Sequence, residues 1–274
     1  MIKTVRALLS KKGITLISPL SLSACEIVKP YLLERAGISS GTAIMLAVPY
    51  YTTKCDDPAR NISAYAVGRD YHLFFAELFD EILPELRARF PEHRFAGFTD
   101  HSPIAEAHAA VQAGLGFFGC NHLFLTKEHS SFVFLGEIVT DAVIDCPVHP
   151  IRECQACGAC KRACPVELDI SLCRSALTQK KGALTESETK ALLAHDLCWG
   201  CDICQEACPV TKAAKESGTL YSTIPFFCEQ AIPHLSYDLV RDMPDEVFAQ
   251  RAFSWRGKPT ILRNLSLREK GELT

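Results

Sequence analysis

The chain has 274 residues, of which 48% are hydrophobic and 22% are charged, and its formal net charge is −3. This composition is that of an ordinary globular protein with enough apolar residues for a sizeable core, and the length allows one large domain or two modest ones. The charge shows none of the strong basic bias that drives non-specific binding to nucleic acid.

The first segment of the chain gives no sign of export. Residues 1–27 are apolar only in short runs, interrupted by Lys11, Lys12 and Pro19, and they contain no small-residue cleavage site. A signal peptide is therefore not expected. No run of ~18 apolar residues occurs, so no transmembrane helix is predicted either. We expect a cytoplasmic protein that makes no membrane contact.

Strand and helix patterns alternate in the first half of the chain. A buried strand is predicted over 42–51, and an amphipathic helix over 72–90, where apolar residues recur at helical spacing. Two further strands are predicted over 94–100 and 131–141 because both segments are rich in aromatic and β-branched residues.

A short helix and a glycine-rich loop are predicted between the last two strands. Ser102 and Pro103 are the residue types of an N-cap and a first helical residue, so a helix is expected to begin there. The helix should end at the glycines of GLGFFGCN, residues 114–121. Glycine lets a backbone approach a ligand closely, which makes this loop a candidate binding segment.

Most of the 14 cysteines fall in two matching rows, CQACGACKRACP at 154–165 and CWGCDICQEACP at 198–209. Both rows follow C-x2-C-x2-C-x3-C-P, the spacing of bacterial ferredoxins that carry two 4Fe–4S clusters. The tight grouping, without an export signal, favours metal ligation over disulfides. Zinc is the alternative, but it would leave the extra cysteines unused. The rows therefore predict two 4Fe–4S clusters, with electrons delivered to something held in the first half.

These motifs together resemble the epoxyqueuosine reductase family, iron–sulfur and cobalamin enzymes that complete queuosine on tRNA. The likeness is greatest to the short form of the family and covers residues 15–265. It is carried by the first cysteine row and by YAVGRDYH (65–72), DHSPIAEAHAAVQAGLGFFGCN (100–121), SFVFLGEIVTD (131–141), LCRSALTQKKG (172–182) and WGCDICQEACP (199–209).

The resemblance implies an α+β fold. A mixed-sheet, cobalamin-binding domain flanked by helices would be followed by a bacterial ferredoxin-like domain with two 4Fe–4S clusters. We predict a catalytic domain for cobalamin and substrate at 1–147, the ferredoxin-like domain at 148–230, and a C-terminal tail packing on the core at 231–274. No HEAT-like repeat extension is expected. Binding of tRNA would then depend on a few local basic residues, namely Arg251, Arg256, Lys258, Arg263 and Arg268.

The resemblance also implies how the cysteines divide between the clusters. In the family the second row contributes three cysteines, and the missing ligand comes from the segment that holds Cys173 here. One cluster would be bound by Cys154, Cys157, Cys160 and Cys208, and the other by Cys164, Cys173, Cys201 and Cys204. Spacing alone would choose Cys198, which stays the alternative to Cys173. The thiols of Cys25, Cys55, Cys146 and Cys228 lie at no ligand spacing and are expected to be ordinary.

A base-off cobalamin between the clusters and the substrate is a further implication of the resemblance. Asp100 matches the family's proposed proton donor, although an Asp or Ser at this point could instead cap the following helix. Cys120 stands where the family has a lysine, and His122 would compensate for part of the lost cation. The residues expected to line the cobalamin pocket are Tyr65, Arg69, His72, Gly119, Cys120, Asn121, His122 and Ser131.

The function predicted first is therefore cobalamin-dependent reduction of epoxyqueuosine to queuosine in tRNA. Electrons would come from an external low-potential donor such as ferredoxin or flavodoxin. Two alternatives remain open. One is a related corrinoid reductase of a small molecule, as in reductive dehalogenases, and the other is a non-catalytic electron-transfer or corrinoid-reactivating protein.

Overall fold

The computed structural model describes residues 1–270, apart from the side chain of Lys270. The chain divides into two compact units. The first unit consists of Met1–Pro49 and Tyr71–Cys157, and the second of Tyr50–Asp70 and the chain from Gly158 onward. Residues 50–70 thus belong to the second unit, although they lie between two segments of the first. We call this segment the excursion at 50–70; the predicted domains, with boundaries at 147 and 230, place it in the first domain.

The first unit is built from four helices and six strands. In chain order they are α1 (Ile2–Ser10), β1 (Leu16–Ser21), α2 (Pro30–Ala36), β2 (Thr42–Pro49), α3 (Tyr71–Arg89), β3 (Phe95–Phe98), α4 (Glu106–Gln112), β4 (Phe117–Phe118), β5 (Phe124–Leu125) and β6 (Val133–Thr140). The strands predicted around β2, β3 and β6 and the long helix α3 are confirmed.

Four of these strands form one sheet in the order β1-β2-β6-β3. Every neighbouring pair is antiparallel, so the expectation of a mixed sheet is wrong. The reason lies in the strand order. Strands β2 and β3 run in the same direction, but β6 lies between them and pairs with both in the opposite direction. The strand–helix alternation read from the sequence therefore produces no parallel pair.

Helices cover both faces of the sheet, and every residue of β2 is buried as a result. On one face, α4 packs against Met45, Ala47 and Val139 in a single apolar cluster. On the other face, α3 lies so close that a Cβ at Gly136 would fall 2.4 Å from the ring of Phe75. Side chains alternate between the two faces along each strand, which decides what Glu137 of β6 can reach.

Helix α4 begins three residues later than its sequence predicts. The N-cap is Ala105, with no capping side chain, and neither Asp100 nor Ser102 caps the helix. The delay arises because the chain before the helix is held in an extended bridge. The N–H of Val28 donates to the carbonyl of Pro103 over 2.8 Å, and Ile104 pairs with Ile27. A tertiary contact has here overridden a local helix-start signal.

The second unit is helical in the regions that surround its cysteines. Its helices are α5 (Ala159–Ala163), α6 (Arg174–Thr178), α7 (Glu186–Leu193), α8 (Ile203–Glu206), α9 (Pro209–Glu216), α10 (Pro225–Cys228), α11 (Tyr237–Asp242), α12 (Asp245–Phe248) and α13 (Lys258–Lys270). Within residues 1–270, no helix is both long enough and apolar enough to span a membrane.

Candidate functional site

Asp100 lies in the turn that follows β3, where two predicted site residues meet. Its backbone is in the left-handed region with φ of 58°, which Asp tolerates better than most residues. The Thr99 hydroxyl donates to the carbonyl of Leu135 over 2.7 Å and ties this end of β3 to β6. The exposed Asp100 carboxylate has its Oδ2 atom 3.5 Å from Nε2 of His72, at the start of α3.

Two glutamates that the sequence analysis did not select lie directly behind this turn. Both carboxylate oxygens of Glu106 accept the backbone N–H of Asp100, each over 3.1 Å. Glu137 is fully buried on β6, and its Oε1 accepts the Ser102 hydroxyl over 2.5 Å. The sequence could have indicated Glu137, because it is an acidic residue in the middle of an otherwise apolar strand.

Four of the predicted pocket residues form the tip of the hairpin between β4 and β5. The tip is tight, since a Cβ at Gly119 would fall 2.3 Å from Oδ1 of Asn121. His122 adopts a left-handed conformation, and its N–H donates to the carbonyl of Gly119 over 2.9 Å. Cys120 and His122 are exposed. A glycine-dependent turn with polar side chains at its surface is suited to the polar edge of a ligand. Ser131, by contrast, is buried just before β6.

The thiol of Cys120 lies 3.5 Å from that of Cys154, the first cysteine of the first row. The two meet because the chain around Cys154 runs alongside β4, with the N–H of Cys154 donating to the carbonyl of Phe118 over 2.8 Å. Partial burial acts against the Cys154 thiolate, but the N–H of Ala156 and the Cys120 thiol outweigh it and lower the pKa of Cys154. The thiolate is the form that binds metal.

The two remaining pocket candidates, Tyr65 and Arg69, belong to the second unit. The Tyr65 hydroxyl accepts the indole N–H of Trp199 over 2.8 Å, and burial raises the pKa of this tyrosine. The Arg69 guanidinium lies 4.3 Å from the centre of the Phe226 ring. Both side chains therefore also serve the packing of their own unit.

The cysteines predicted as cluster ligands lie at helix ends and in the loops between short helices. Cys154 and Cys157 close the first unit. In the second unit, the helices α5 and α8 pack side by side and each holds one cysteine, Cys160 and Cys204. The others flank helices: Cys164 ends α5, Cys173 precedes α6, Cys201 precedes α8 and Cys208 precedes α9.

Cys173 and Cys198, the two candidates for the eighth ligand, differ sharply in their surroundings. Cys198 is fully buried, and burial raises the pKa of its thiol to about 12. Its carbonyl accepts the side-chain amide of Asn264 over 2.8 Å. Cys173 is half-buried and lies close enough to Cys201 to be among the causes, after burial and Asp202, that raise the pKa of Cys201. Cys173 therefore faces another predicted ligand, whereas Cys198 is a core residue.

No group of three or more His, Cys, Asp or Glu side chains converges on a single point anywhere in residues 1–270. A single zinc ion needs such convergence. A 4Fe–4S cluster does not, because each of its irons takes one cysteine and the ligands surround the cluster. The thiols around α5, α6, α8 and α9 are the donor type that 4Fe–4S clusters take.

Most of the basic residues expected to contact tRNA make contacts within the chain. Arg251 is buried and donates to the carbonyls of Val67 and Gln230. Arg263 donates to the carbonyls of Lys180 and Gly182, and Arg268 to those of Leu192, His195 and Leu197. We call these three side chains the carbonyl-bound arginines. Lys258 pairs with Asp245, and Arg256 stacks on Trp255.

Residues 37–101 match a family model described as "Epoxyqueuosine reductase QueG, DUF1730". The chain is 31% identical to the epoxyqueuosine reductase of Gloeobacter violaceus over 223 residues, which cover 77% of this chain and 69% of that protein. It is 35% identical to the epoxyqueuosine reductase of Pseudomonas aeruginosa over 168 residues, 57% of this chain and 45% of that one. The match thus spans about half the length of the Pseudomonas relative.

The fold is also shared with solved structures. One is a crystal structure of an epoxyqueuosine reductase with an epoxyqueuosine-modified stem loop of tRNA-Tyr. It has a TM-score of 0.73 and 24% sequence identity, and the match covers 97% of this chain and 81% of that one. At this identity the likeness shows a common fold.

Proposed function

Because the chain belongs to the epoxyqueuosine reductase family, as its likeness to the Gloeobacter protein shows, we propose that it reduces epoxyqueuosine to queuosine in tRNA. Two 4Fe–4S clusters and a cobalamin would serve this reduction, with electrons from a ferredoxin or flavodoxin. The relative crystallised with a modified tRNA stem loop supports a tRNA substrate.

The cluster ligands that we propose are those implied by the family. They are Cys154, Cys157, Cys160 and Cys208 for one cluster, and Cys164, Cys173, Cys201 and Cys204 for the other. The burial of Cys198 supports Cys173 as the eighth ligand, since a thiol without solvent exposure and with a raised pKa is a poor source of thiolate. Such clusters supply single electrons at low potential.

The hairpin tip at 119–122 is the part of the first unit that we propose for cobalamin. Its exposed Cys120 and His122 side chains and the close turn at Gly119 offer polar contacts to the edge of a corrin ring. Reduced cobalt would supply the nucleophilic or one-electron chemistry that opens an epoxide, while the chain supplies position and shielding.

The observation that carries the proposal is the placement of Asp100. Opening an epoxide leaves an oxygen that must take up a proton, and a positioned carboxylic acid can donate it. Asp100 is exposed at a strand end, does not cap a helix, and has its backbone fixed by Glu106. Nε2 of the His72 imidazole lies 3.5 Å from the Oδ2 atom of Asp100 and is placed to return the proton to this carboxylate.

The test uses anaerobically reconstituted protein and an epoxyqueuosine-containing tRNA stem loop, with queuosine measured by mass spectrometry. We expect wild type to form queuosine, and Asp100→Asn to bind cobalamin normally but to turn over ~10²–10⁴-fold more slowly. Asp145→Asn, which removes an exposed carboxylate elsewhere in the first unit, is the matched control.

Two results would contradict the proposal. An unchanged rate in Asp100→Asn would remove this residue from the chemistry. Wild-type protein that holds both clusters and cobalamin yet is inert on the stem loop would rule out the tRNA reaction. It would favour the small-molecule reductase, which the Cys120 substitution and the carbonyl-bound arginines also allow.

A further inference from the structure

Glu137 is a buried acid in apolar surroundings. Its cross-strand neighbours are Met45 of β2 and Phe98 of β3, so all three side chains point to the face covered by α4. The Oε1 atom of Glu137 accepts the Ser102 hydroxyl, but its buried Oε2 atom receives no N–H or O–H from the described part of the chain. An ionised carboxylate in this position would leave one oxygen unsatisfied, at considerable cost.

The group that faces Glu137 is the carboxyl of Glu106, at the first position of α4. The two carboxyls are close enough for each to act on the pKa of the other. Burial first, and then the neighbouring acid, raises the pKa of Glu137 well above its usual value, and burial raises that of Glu106 to about 7. Two carboxyls this close do not both ionise, and one proton between them satisfies the orphan oxygen.

The other ionisable groups around the pair do not replace this proton. Lys29 lowers the pKa of Glu106, while the charge of Asp100 raises it. The Lys29 ammonium is also 3.1 Å from Nδ1 of His101. On the Glu137 side lies Cys25, whose thiol is kept neutral because burial, and then Glu137 and Cys146, raise its pKa to about 12.

Glu106 connects this pair to the proposed proton donor. Its two oxygens accept the N–H of Asp100, whose backbone is left-handed and whose carboxylate lies beside His72. We propose that Glu106 and Glu137 share a single proton and that the pair is a positioning device for Asp100. With the proton present, Glu106 stays anchored to β6 and fixes the Asp100 turn. Without it, the two carboxylates repel and the turn is released.

The device can be tested without turnover, by hydrogen exchange and mass spectrometry on the full chain isolated anaerobically. Glu106→Ala removes the acceptor, so we expect amides in 99–105 to exchange ~10-fold faster, a loss typical of one hydrogen bond. Glu106→Gln keeps an acceptor oxygen for Asp100 and a donor for Glu137, so its exchange should match wild type. Exchange in β2 reports whether the variants remain folded.

The shared proton has its own test in the dependence on pH. Corrected for intrinsic rates, protection of 99–105 should fall in wild type as pH rises beyond about 7, where the pair passes from one proton to none. In Glu137→Gln a side-chain amide donates permanently to Glu106, so protection should stay constant. Unchanged exchange in Glu106→Ala, or the same pH dependence in Glu137→Gln as in wild type, would overturn the inference. Should Glu106→Ala expose β2 as well, the Glu137→Gln comparison decides.

The catalytic meaning of the device depends on the function proposed above. On the stem-loop substrate, Glu106→Ala should lower kcat about as much as it raises exchange and leave KM unchanged, and Glu106→Gln should restore kcat. A wild-type protein without this activity would refute the proposed function, while the exchange results would still decide whether the proton-sharing pair holds the turn. Slow turnover of Glu106→Gln, with wild-type exchange, would contradict a purely positioning role.

Discussion

The Nη1 atom of Arg60 donates to Oδ2 of Asp202 over 2.7 Å, and both side chains are largely removed from solvent. Asp202 directly follows a predicted cluster ligand, Cys201, and also accepts the Ser63 hydroxyl and the N–H of Ala64. One carboxylate therefore ties the excursion at 50–70 to the second cysteine row, within a single unit.

We expect Asp202→Ala to destabilise the second unit by ~3–5 kcal/mol, because it leaves the Arg60 charge buried beside donors that have lost their acceptor. Urea unfolding under anaerobic conditions, followed by tryptophan fluorescence, measures this, since Trp199 is buried in the same unit. Glu186→Ala is the control. It breaks an exposed ion pair with Lys190 on α7 and should cost less than ~0.5 kcal/mol. Equal losses in the two variants would contradict the assignment.

Iron content distinguishes the two candidates for the eighth cluster ligand. Cys173→Ala should lose about four of about eight irons per chain, because one cubane then lacks a ligand. Cys198→Ala should retain all its iron and lose only some stability, since it deletes a buried sulfur from the core. Colorimetric iron and sulfide assays on anaerobic protein provide the measurement. The reverse pattern would make Cys198 the ligand.

The buried acid pair also predicts how stability depends on pH. The pKa of Glu106 is raised in the folded state, so its stabilising contribution is complete below the unfolded value of ~4.3 and is lost as pH rises through about 7. The free energy of unfolding of wild type should therefore fall relative to Glu106→Gln between pH ~5 and ~8. Urea titrations at several pH values measure this difference.

A second group acts in the opposite direction and must be separated from the acid pair. Burial, followed by the charges of Arg174 and Arg268, lowers the pKa of His195 to about 4. The neutral His195 side chain therefore contributes to the free energy of unfolding in full above its unfolded pKa of ~6.5, and this contribution is lost as pH falls through about 4. His195 is common to both proteins, so it cancels in the difference. A Glu34→Gln control, at an exposed site, should follow wild type, and a constant difference for Glu106→Gln would be evidence against the shared proton.

The 3.5 Å approach of Cys120 to Cys154 predicts a specific oxidation product. Once the iron is removed by a chelator, treatment with a thiol oxidant such as diamide should couple these two sulfurs, with the diamide reduced to its hydrazine. Mass spectrometry should find the peptide linked between 120 and 154. Cys120→Ser should abolish that peptide, and linkage of Cys154 mainly to Cys157 would show that the contact is not maintained in solution.

The sequence was sufficient for elements whose own pattern decides them. The strands β2 and β6 are predicted by apolar runs, and the helix α3 is predicted by apolar residues at helical spacing. The two cysteine rows are recognised from the spacing of their cysteines. The start of α4 was not predictable in this way. Ser102 has the right residue type for an N-cap, but the bridge to Ile27 holds the chain extended, and that contact is made with a segment far away in sequence.

The candidate site shows the same limit. Asp100 and His72 were selected by resemblance, and the structure brings them together. Glu106 and Glu137 could not be paired from sequence, because their meeting depends on β6 lying between β2 and β3 and on α4 covering that face. When neighbouring strands are not consecutive in the chain, no local sequence pattern predicts which strands pair or in which register.

The carbonyl-bound arginines change how an interaction with RNA would respond to salt. A cation that neutralises a phosphate displaces the counterions condensed on the nucleic acid, and the slope of affinity against ionic strength counts such cations. The guanidinium groups of Arg251, Arg263 and Arg268 already donate hydrogen bonds to backbone carbonyls of their own unit. Few of their N–H groups are therefore left to bind phosphates. These three arginines should therefore contribute little to the salt dependence of the affinity for a tRNA stem loop. Substituting them should first of all lower the stability of the folded chain.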